Sequence, residues 1–484
     1  MKARSSYLSA GAVIAIGLCT GLAACSLATE EQTAEAGEQE RNIEPRPAPE
    51  GMDHHTSETW DSLAREKSQG LIKEVDGERR MVRYDFGGFA RVGGADYSDW
   101  PTHAYADDTE YPEPQEVDPP AEMDGDPERG RELFQDRSMG PCTSCHMVPE
   151  ADVSAPGSVG TDLRTVGNWA ESEEWLYQMV YDPRVIYGKD TPMPPFGLSG
   201  MWSEQQIEDV VAYLMTLTGD EDNEPYIPEG VDNPEYWNPE TRPTSESSQD
   251  PLDPFVNPAL MKTEQIAVPL WREPGPNGKS CASCHGEIQE GDELRPVGII
   301  EDLEGVAAHY PKWFDEYDRM MSIEDFLAVH ALEEQDMELP TQSKENLYMS
   351  ILVHSQSNGM TYDINEDNPH VQAAIERGRE LFYREVGRRN HSCANCHTSN
   401  GGGGEWLSGR KLASLDNEDA TLVNHPYWRT AQSRVWDIRT RFQWCMSPVG
   451  TNYLAGDAPE YADLETFLMS KQQGKEVLVP RYTH

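Results

Sequence analysis

Three short runs of one pattern constrain this 484-residue chain more than anything else in it: Cys142-Thr143-Ser144-Cys145-His146, Cys281-Ala282-Ser283-Cys284-His285 and Cys393-Ala394-Asn395-Cys396-His397. In CxxCH the two thiols fix a porphyrin edge through thioethers, and the adjacent histidine swings under the iron as its proximal ligand. One such run also suits a zinc half-site or a redox dithiol. Three, each flanked by helical sequence behind an export signal, read as three covalently bound haem c groups, each with its iron.

The export signal lies at the N-terminus. Lys2 and Arg4 precede an apolar run from about Tyr7 to Leu22, which ends in the small residues Leu22-Ala23-Ala24-Cys25. Basic, apolar and small segments in that order make a secretory signal peptide. Leu22 to Cys25 resembles a bacterial lipobox, so residues 1–24 are read as a lipoprotein signal and Cys25 as the lipidated first residue of a periplasmic protein. The run is short and interrupted for a membrane span, so contact with the membrane is expected through the lipid alone. Of nine cysteines, Cys19 leaves with the signal, Cys25 takes the lipid and six belong to CxxCH. Cys445 remains. In an oxidising compartment it is a reactive thiol or a metal ligand unless it is simply buried.

The fold class expected is mainly α, with three class I cytochrome c-like domains in tandem after a flexible acidic N-terminal region. Residues 25–120 are an acidic tether and a segment without assigned role, poor in apolar residues from Ala28 to Pro49. The first haem domain spans 121–220, a Pro-, Asp- and Ser-rich linker 221–258, the second domain 259–360 and the third 361–484. Asp126 and Pro127 are the N-cap and first residue of a helix. The heptamer Glu128–Phe134, ERGRELF, recurs identically at Glu376–Phe382, each time ahead of a CxxCH, so the chain holds an internal repeat. Closing helices are expected at Ser203–Leu217, Ser343–Ser355 and Pro459–Lys471. Gly130 and Phe134 should cross the first of these near Tyr213.

The second axial ligand decides what each iron does. In the first domain Met193, framed by Pro192, Pro194 and Pro195, follows His146 by 47 residues. His/Met ligation raises the potential and suits an electron acceptor. In the third domain the offset from His397 to Cys445 is 48 residues. A buried inert thiol is the ordinary fate of a lone cysteine, but this spacing favours a thiolate ligand. In the second domain a similar offset reaches His330, in a helical stretch from Ile323, with His309, His354 and Met337 as rivals.

Charge narrows the partners. With 39 Lys+Arg against 86 Asp+Glu the formal net charge is −47. Nucleic acid and anionic lipid surfaces are repelled, so neither is expected as a partner. A small anionic substrate needs local arginines. Arg441, four residues before Cys445, can grip an oxyanion through its planar donor fork. Arg429, Arg434 and Arg439 could join it, though each alone reads as a solvated surface charge.

These residues resemble a known family. Residues 121–220, with GPCTSCH, TPMPPFG and IEDVVAYLMTL, resemble SoxX, a monohaem cytochrome. Residues 259–484, with SCASCHG, GVAAHYPKW, SQSNGM, RGRELFY, SCANCH and RFQWC, resemble its dihaem partner SoxA. The chain is similar to a fusion of the two, which the family usually keeps separate. The resemblance implies an L-cysteine S-thiosulfotransferase that couples thiosulfate oxidatively to a cysteine of the carrier SoxYZ and passes two electrons to a soluble cytochrome c. It implies Cys445 as the cysteine ligand of the active haem, found as a persulfide in the family, and Arg441 as the arginine beside it. His330 falls where relatives often carry a second cysteine ligand, which implies a His/His electron-transfer haem. Two other functions stay open: a thiosulfate dehydrogenase that forms tetrathionate, and a non-enzymatic multihaem electron carrier anchored as a lipoprotein.

Overall fold

The computed structural model describes residues 71–75, 78–82, 113–136, 142–150, 152–189, 191–219, 225–232, 234–242, 250–386, 391–415, 422–449, 454 and 456–483. The signal sequence, the Cys25 lipobox and most of the acidic segment lie outside these residues. Within that segment a two-stranded antiparallel hairpin is described, β1 (Leu71–Val75) and β2 (Glu78–Val82).

The first region is a helical unit built from α1 (Pro127–Gln135), α2 (Glu173–Tyr181) and α3 (Glu204–Met215). Asp126 caps α1 as expected, its carboxylate accepting from the Glu128 and Arg129 amides, with Pro127 in the first turn. Ser203 and Gln206 form a reciprocal capping box on α3. Their crossing explains the repeated heptamer. A Cβ on Gly130 would stand 1.9 Å from the Asp209 carbonyl oxygen, so the backbones meet where only glycine fits. One turn on, Phe134 packs on Tyr213 with ring centroids 5.5 Å apart, a pairing worth about 1 kcal/mol. Arg129 completes the contact with a two-pronged bond to Asp209, at 2.9 and 2.8 Å.

The second region opens with α4 (Pro258–Arg272), continues through α5 (Cys281–His285), a short antiparallel pair β3 (Lys312–Phe314) and β4 (Arg319–Met321), and ends with α6 (Ile323–Gln335) and α7 (Lys344–Ser355). Ser322 and Ser343 cap α6 and α7. Ala259, Ala267 and Trp271 of α4 share a core with Leu347, Ile351 and Leu352 of α7.

The third region begins with α8 (Pro369–Tyr383) and α9 (Cys393–His397), followed by the hairpin β5 (Trp406–Leu407) and β6 (Arg410–Lys411). Strand β7 (Tyr427–Arg429) then lies between β8 (Arg434–Trp436), antiparallel, and the C-terminal β9 (Tyr482–Thr483), parallel. Helices α10 (Ile438–Val449) and α11 (Pro459–Ser470) complete it. The second copy of the heptamer repeats the first crossing. A Cβ on Gly378 would lie 2.1 Å from the Asp463 carbonyl oxygen, Phe382 packs on Phe467 at 5.4 Å, and Arg377 grips Asp463 at 2.7 and 2.8 Å.

Two features of the packing go beyond the sequence reading. The second and third regions share apolar cores: Met320 and Tyr362 sit with α8 and α11, and Trp428 and Val435 sit with α4 and α7. Part of the linker is also packed, since Trp237 is 0% and Arg242 4% exposed. Composition marks that stretch as polar but carries no trace of one indole and one guanidinium finding a buried place.

Candidate functional site

All three CxxCH runs fold as single helical turns, with Cys142–Ser144 a 3-10 turn and α5 and α9 each one α-helical turn. One turn brings cysteines three apart to the same face. Ser280 and Ser392 cap α5 and α9 by accepting from the Ser283 and Asn395 amides. Each histidine is then oriented by an acceptor 15 to 17 residues on. The Nδ1 of His146 donates to the Thr161 carbonyl at 2.7 Å, that of His285 to Asp302 Oδ2 at 2.7 Å, and that of His397 to the Ala413 carbonyl at 2.8 Å. An acceptor on Nδ1 places the proton there and leaves the Nε2 lone pair for a metal. Burial lowers the pKa of His146 and His397, which keeps both neutral. Gly160 lies so close under His146 that a Cβ would meet its ring at 2.3 Å. Three repeats of a one-turn thiol pair with an Nδ1-anchored imidazole fit haem c.

The distal candidates divide by what surrounds them. Met193 is half-buried against the same core as Cys142, its amide held by Thr191 Oγ1 at 3.3 Å. His330 points from α6 at His285, with ring centroids 6.0 Å apart, and stacks on Phe326 at 5.1 Å. Of its rivals, His354 Nε2 lies 3.8 Å from Glu324, and His309 Nδ1 donates to the Asp363 carbonyl. Met337 follows the C-cap of α6, where its amide donates to the Ala331 carbonyl.

Cys445 and Arg441 project from consecutive turns of α10. Cys445, half-buried, lies within electrostatic reach of Cys396, and Arg441 within reach of both Cys445 and His397. Arg441 Nη1 is enclosed and makes no hydrogen bond among the described residues, an unsatisfied donor beside a thiol. Its guanidinium lies over Trp444, 5.1 Å from the ring centre, and Arg410 reaches the same ring at 5.8 Å. Arg429, 5% exposed, stacks over Trp436 at 5.6 Å. Burial, with Arg410 alongside, pushes Arg429 down to about 10. Tyr427 completes the cluster, in reach of Arg441, Arg429, Cys445 and Arg410. Three guanidiniums around one tyrosine, Arg441 among them also beside the thiol, form a local cationic site on a strongly acidic protein. Such a site favours a small dianion.

Two expectations about neighbouring arginines fail. Neither Arg429 nor Arg439 is a solvated surface charge. Arg439, 1% exposed, is locked between Asp325 and Glu465 at 2.7 Å each and holds α10 to α6 and α11. Arg434 lies within electrostatic reach of Tyr348 of α7. Sequence reading missed Arg410 of β6 and Tyr427 of β7, the latter two residues before Arg429. It also missed the three Nδ1 acceptors, whose nearly constant offset was an available signal.

The first and third CxxCH turns lie against each other. Ser408 N donates to the Ser144 carbonyl at 2.8 Å, Ser158 N to the Trp406 carbonyl at 2.9 Å, and Asn395 Nδ2 to the Thr191 carbonyl at 3.3 Å. Cys145 and Cys396 are electrostatic neighbours.

Comparison with known proteins matches residues 267–362 to the family described as SoxA/TsdA, cytochrome c domain, and residues 127–218 to cytochrome c. The chain is 26% identical over 232 residues to the L-cysteine S-thiosulfotransferase subunit SoxA of Rhodovulum sulfidophilum, covering 47% of this chain and 74% of that one. It is 28% identical over 217 residues to the subunit of the same description from Hydrogenobacter thermophilus, covering 43% and 78%. The crystal structure of SoxXA from P. pantotrophus aligns over 48% of this chain and 80% of that chain at 24% identity, with a TM-score of 0.41.

Proposed function

We propose that this chain, a SoxXA-type cytochrome, couples thiosulfate oxidatively to a cysteine of a SoxYZ-type carrier protein. In that reaction the carrier's thiol sulfur joins the sulfane sulfur of thiosulfate, and one proton and two electrons leave. The observation that carries the reading is Arg441, with an unsatisfied donor, beside Cys445 and His397 of the third CxxCH turn, and Arg410 and Arg429 gathered with it around Tyr427.

Haem c, when bound, supplies one-electron oxidation at each site. Cys142, Cys145, His146 and Met193 would hold the first group, and Cys281, Cys284, His285 and His330 the second. Cys393, Cys396, His397 and Cys445 would hold the third. Arg441, Arg410 and Arg429 bind the dianion and set its outer sulfur toward Cys445. Tyr427 and Trp444 wall the site and keep the guanidiniums partly desolvated, which strengthens their hold on an anion. The Met193 site, with the higher potential expected of His/Met ligation, is the outlet to a soluble cytochrome c. The protein works in the periplasm, anchored by lipid on Cys25; among the described residues no helix is long and apolar enough to cross a membrane.

The matched SoxA/TsdA domain favours a second reading, thiosulfate dehydrogenase, because one description spans both kinds of protein. Anaerobic mixing of the oxidised holoprotein with thiosulfate separates the two. Reduction that requires the carrier supports conjugation, whereas reduction by thiosulfate alone with tetrathionate formed supports the dehydrogenase. No reduction in either mixture leaves a plain electron carrier.

A further inference from the structure

The described residues between Tyr226 and Arg242 form a strap fixed at two points. At its start Arg164 donates to the Tyr226 carbonyl at 3.0 Å and lies over the ring of the fully buried Trp237 at 5.3 Å. At its end Arg242 spans two domains. Its Nη2 donates to the Pro156 carbonyl at 2.9 Å, in the loop that follows His146, and to the Trp237 carbonyl at 3.2 Å. Its Nη1 donates to the Ser408 carbonyl at 2.7 Å, at the tip of the β5–β6 hairpin that follows His397. Nε donates to the Tyr236 carbonyl, and the guanidinium covers the Trp406 ring at 4.8 Å.

A buried cation without a carboxylate is costly unless its donors are filled. Here, among the described residues, carbonyls and an indole face do the filling. The fork geometry of arginine can reach all of them at once; a lysine cannot. Ser408 shows what the contact holds. It adopts φ 51°, a left-handed conformation that costs a non-glycine residue about 1 kcal/mol. Its amide donates to Ser144 of the first CxxCH turn while its carbonyl accepts from Arg242. One residue of the third domain is thus pinned on one side by the first redox segment and on the other by the strap. Ser158 adds a bond to Glu405 at 2.6 Å.

We infer that Arg242 is a positioning residue: it clasps the first CxxCH segment to the hairpin of the third and sets the separation across which one electron leaves the third centre and enters the first. No bond or proton moves in that exchange. The strap is therefore a structural part of the electron route rather than a spacer. The inference rests on the reading that both segments carry haem.

The test uses the full-length holoprotein and its Arg242→Ala and Arg242→Lys variants, each checked first for haem mass and optical spectrum. Hydrogen exchange of the 405–412 amides is measured, together with the rate at which an electron injected optically equilibrates between the two centres. In R242A the hairpin amides should exchange about tenfold faster or more, as the loss of a charged hydrogen-bond anchor implies. The fast equilibration phase should be lost while the potential of each centre is unchanged, and R242K should fall between. Wild-type exchange and equilibration in R242A would overturn the clasp. Should R242A fail to fold, R242K, which keeps the charge but not the fork, must still speed exchange of the hairpin amides and slow equilibration, and wild-type values in it overturn the proposal equally. A wild-type protein lacking haem at either segment would refute the functional reading alone, with exchange still deciding the clasp.

Discussion

His285 and His330 face each other from α5 and α6 with ring centroids 6.0 Å apart, about the separation of two imidazoles that grip one ion from opposite sides at roughly 2 Å per bond. Asp302 anchors the first ring through Nδ1 and Phe326 supports the second. His330→Met should therefore raise the potential of the second centre and leave the other two in place, as replacement of an imidazole by a thioether implies. A spectroelectrochemical titration checks this. An unchanged potential would mean that His330 is no ligand.

Cys445 and Arg441 should separate assembly from turnover. Cys445→Ala should retain the mass of all three haems yet lose turnover; normal turnover would sink the catalytic assignment. Arg441→Gln removes the charge beside the Cys445 sulfur and, on the proposed chemistry, should lower kcat/KM by about 10²- to 10³-fold. Arg441→Lys should recover only part, because the ammonium cannot reproduce a fork.

The two helix crossings have no room for a methyl group. Gly130→Ala places a Cβ against the Asp209 carbonyl and Gly378→Ala against that of Asp463. Each should cost about 1–3 kcal/mol or more, the range for overpacking a fixed contact. Denaturant unfolding should show the first loss in the 121–220 region and the second in the 361–484 region. Wild-type midpoints for both would contradict the shared crossing.

Stability should fall with alkali through one buried carboxyl. Arg439 serves two acids, Asp325 and Glu465, and burial, with Glu324 adding repulsion, pushes Glu465 up to about 8. The native protein then keeps a proton that the unfolded chain releases above 4.5, so this contribution is full below 4.5 and is lost as pH rises through 8. His354 and His425, pushed by burial down to about 4, act in the opposite sense, and their effect is complete above 6.5. Between pH 6.5 and 8 the decline in unfolding midpoint should be visible in the wild type. Glu465→Gln should flatten it, and an equal slope in both would contradict the assignment.

Local pattern explains what could be read ahead of the structure. CxxCH, the heptamer and the serine caps act within a turn or two, so α1, α3, α7, α8 and α11 could be placed from residues alone. The heptamer went further, since Arg129, Gly130 and Phe134 are spaced to meet one partner helix. Arg410, Tyr427 and Arg429 could not be grouped in this way. Arg410 comes from β6, while Tyr427 and Arg429 share β7, and no local spacing joins either strand to Cys445 on α10. Arg439 and Arg441 differ by two positions, which on a helix turns one toward Asp325 and Glu465 and the other toward the thiol. The strap hid for a similar reason: Arg242 matters through Pro156 and Ser408, which are 86 and 166 residues away.

The most direct measurement of the proposed chemistry is the mass of the carrier's acceptor cysteine. Oxidised holoprotein, a SoxYZ-type carrier and thiosulfate would be incubated without oxygen, and the carrier peptide analysed intact. A thiosulfonate adduct on that cysteine, dependent on this protein and absent with Cys445→Ala, is the predicted result. An unmodified cysteine accompanied by tetrathionate in solution would contradict the account.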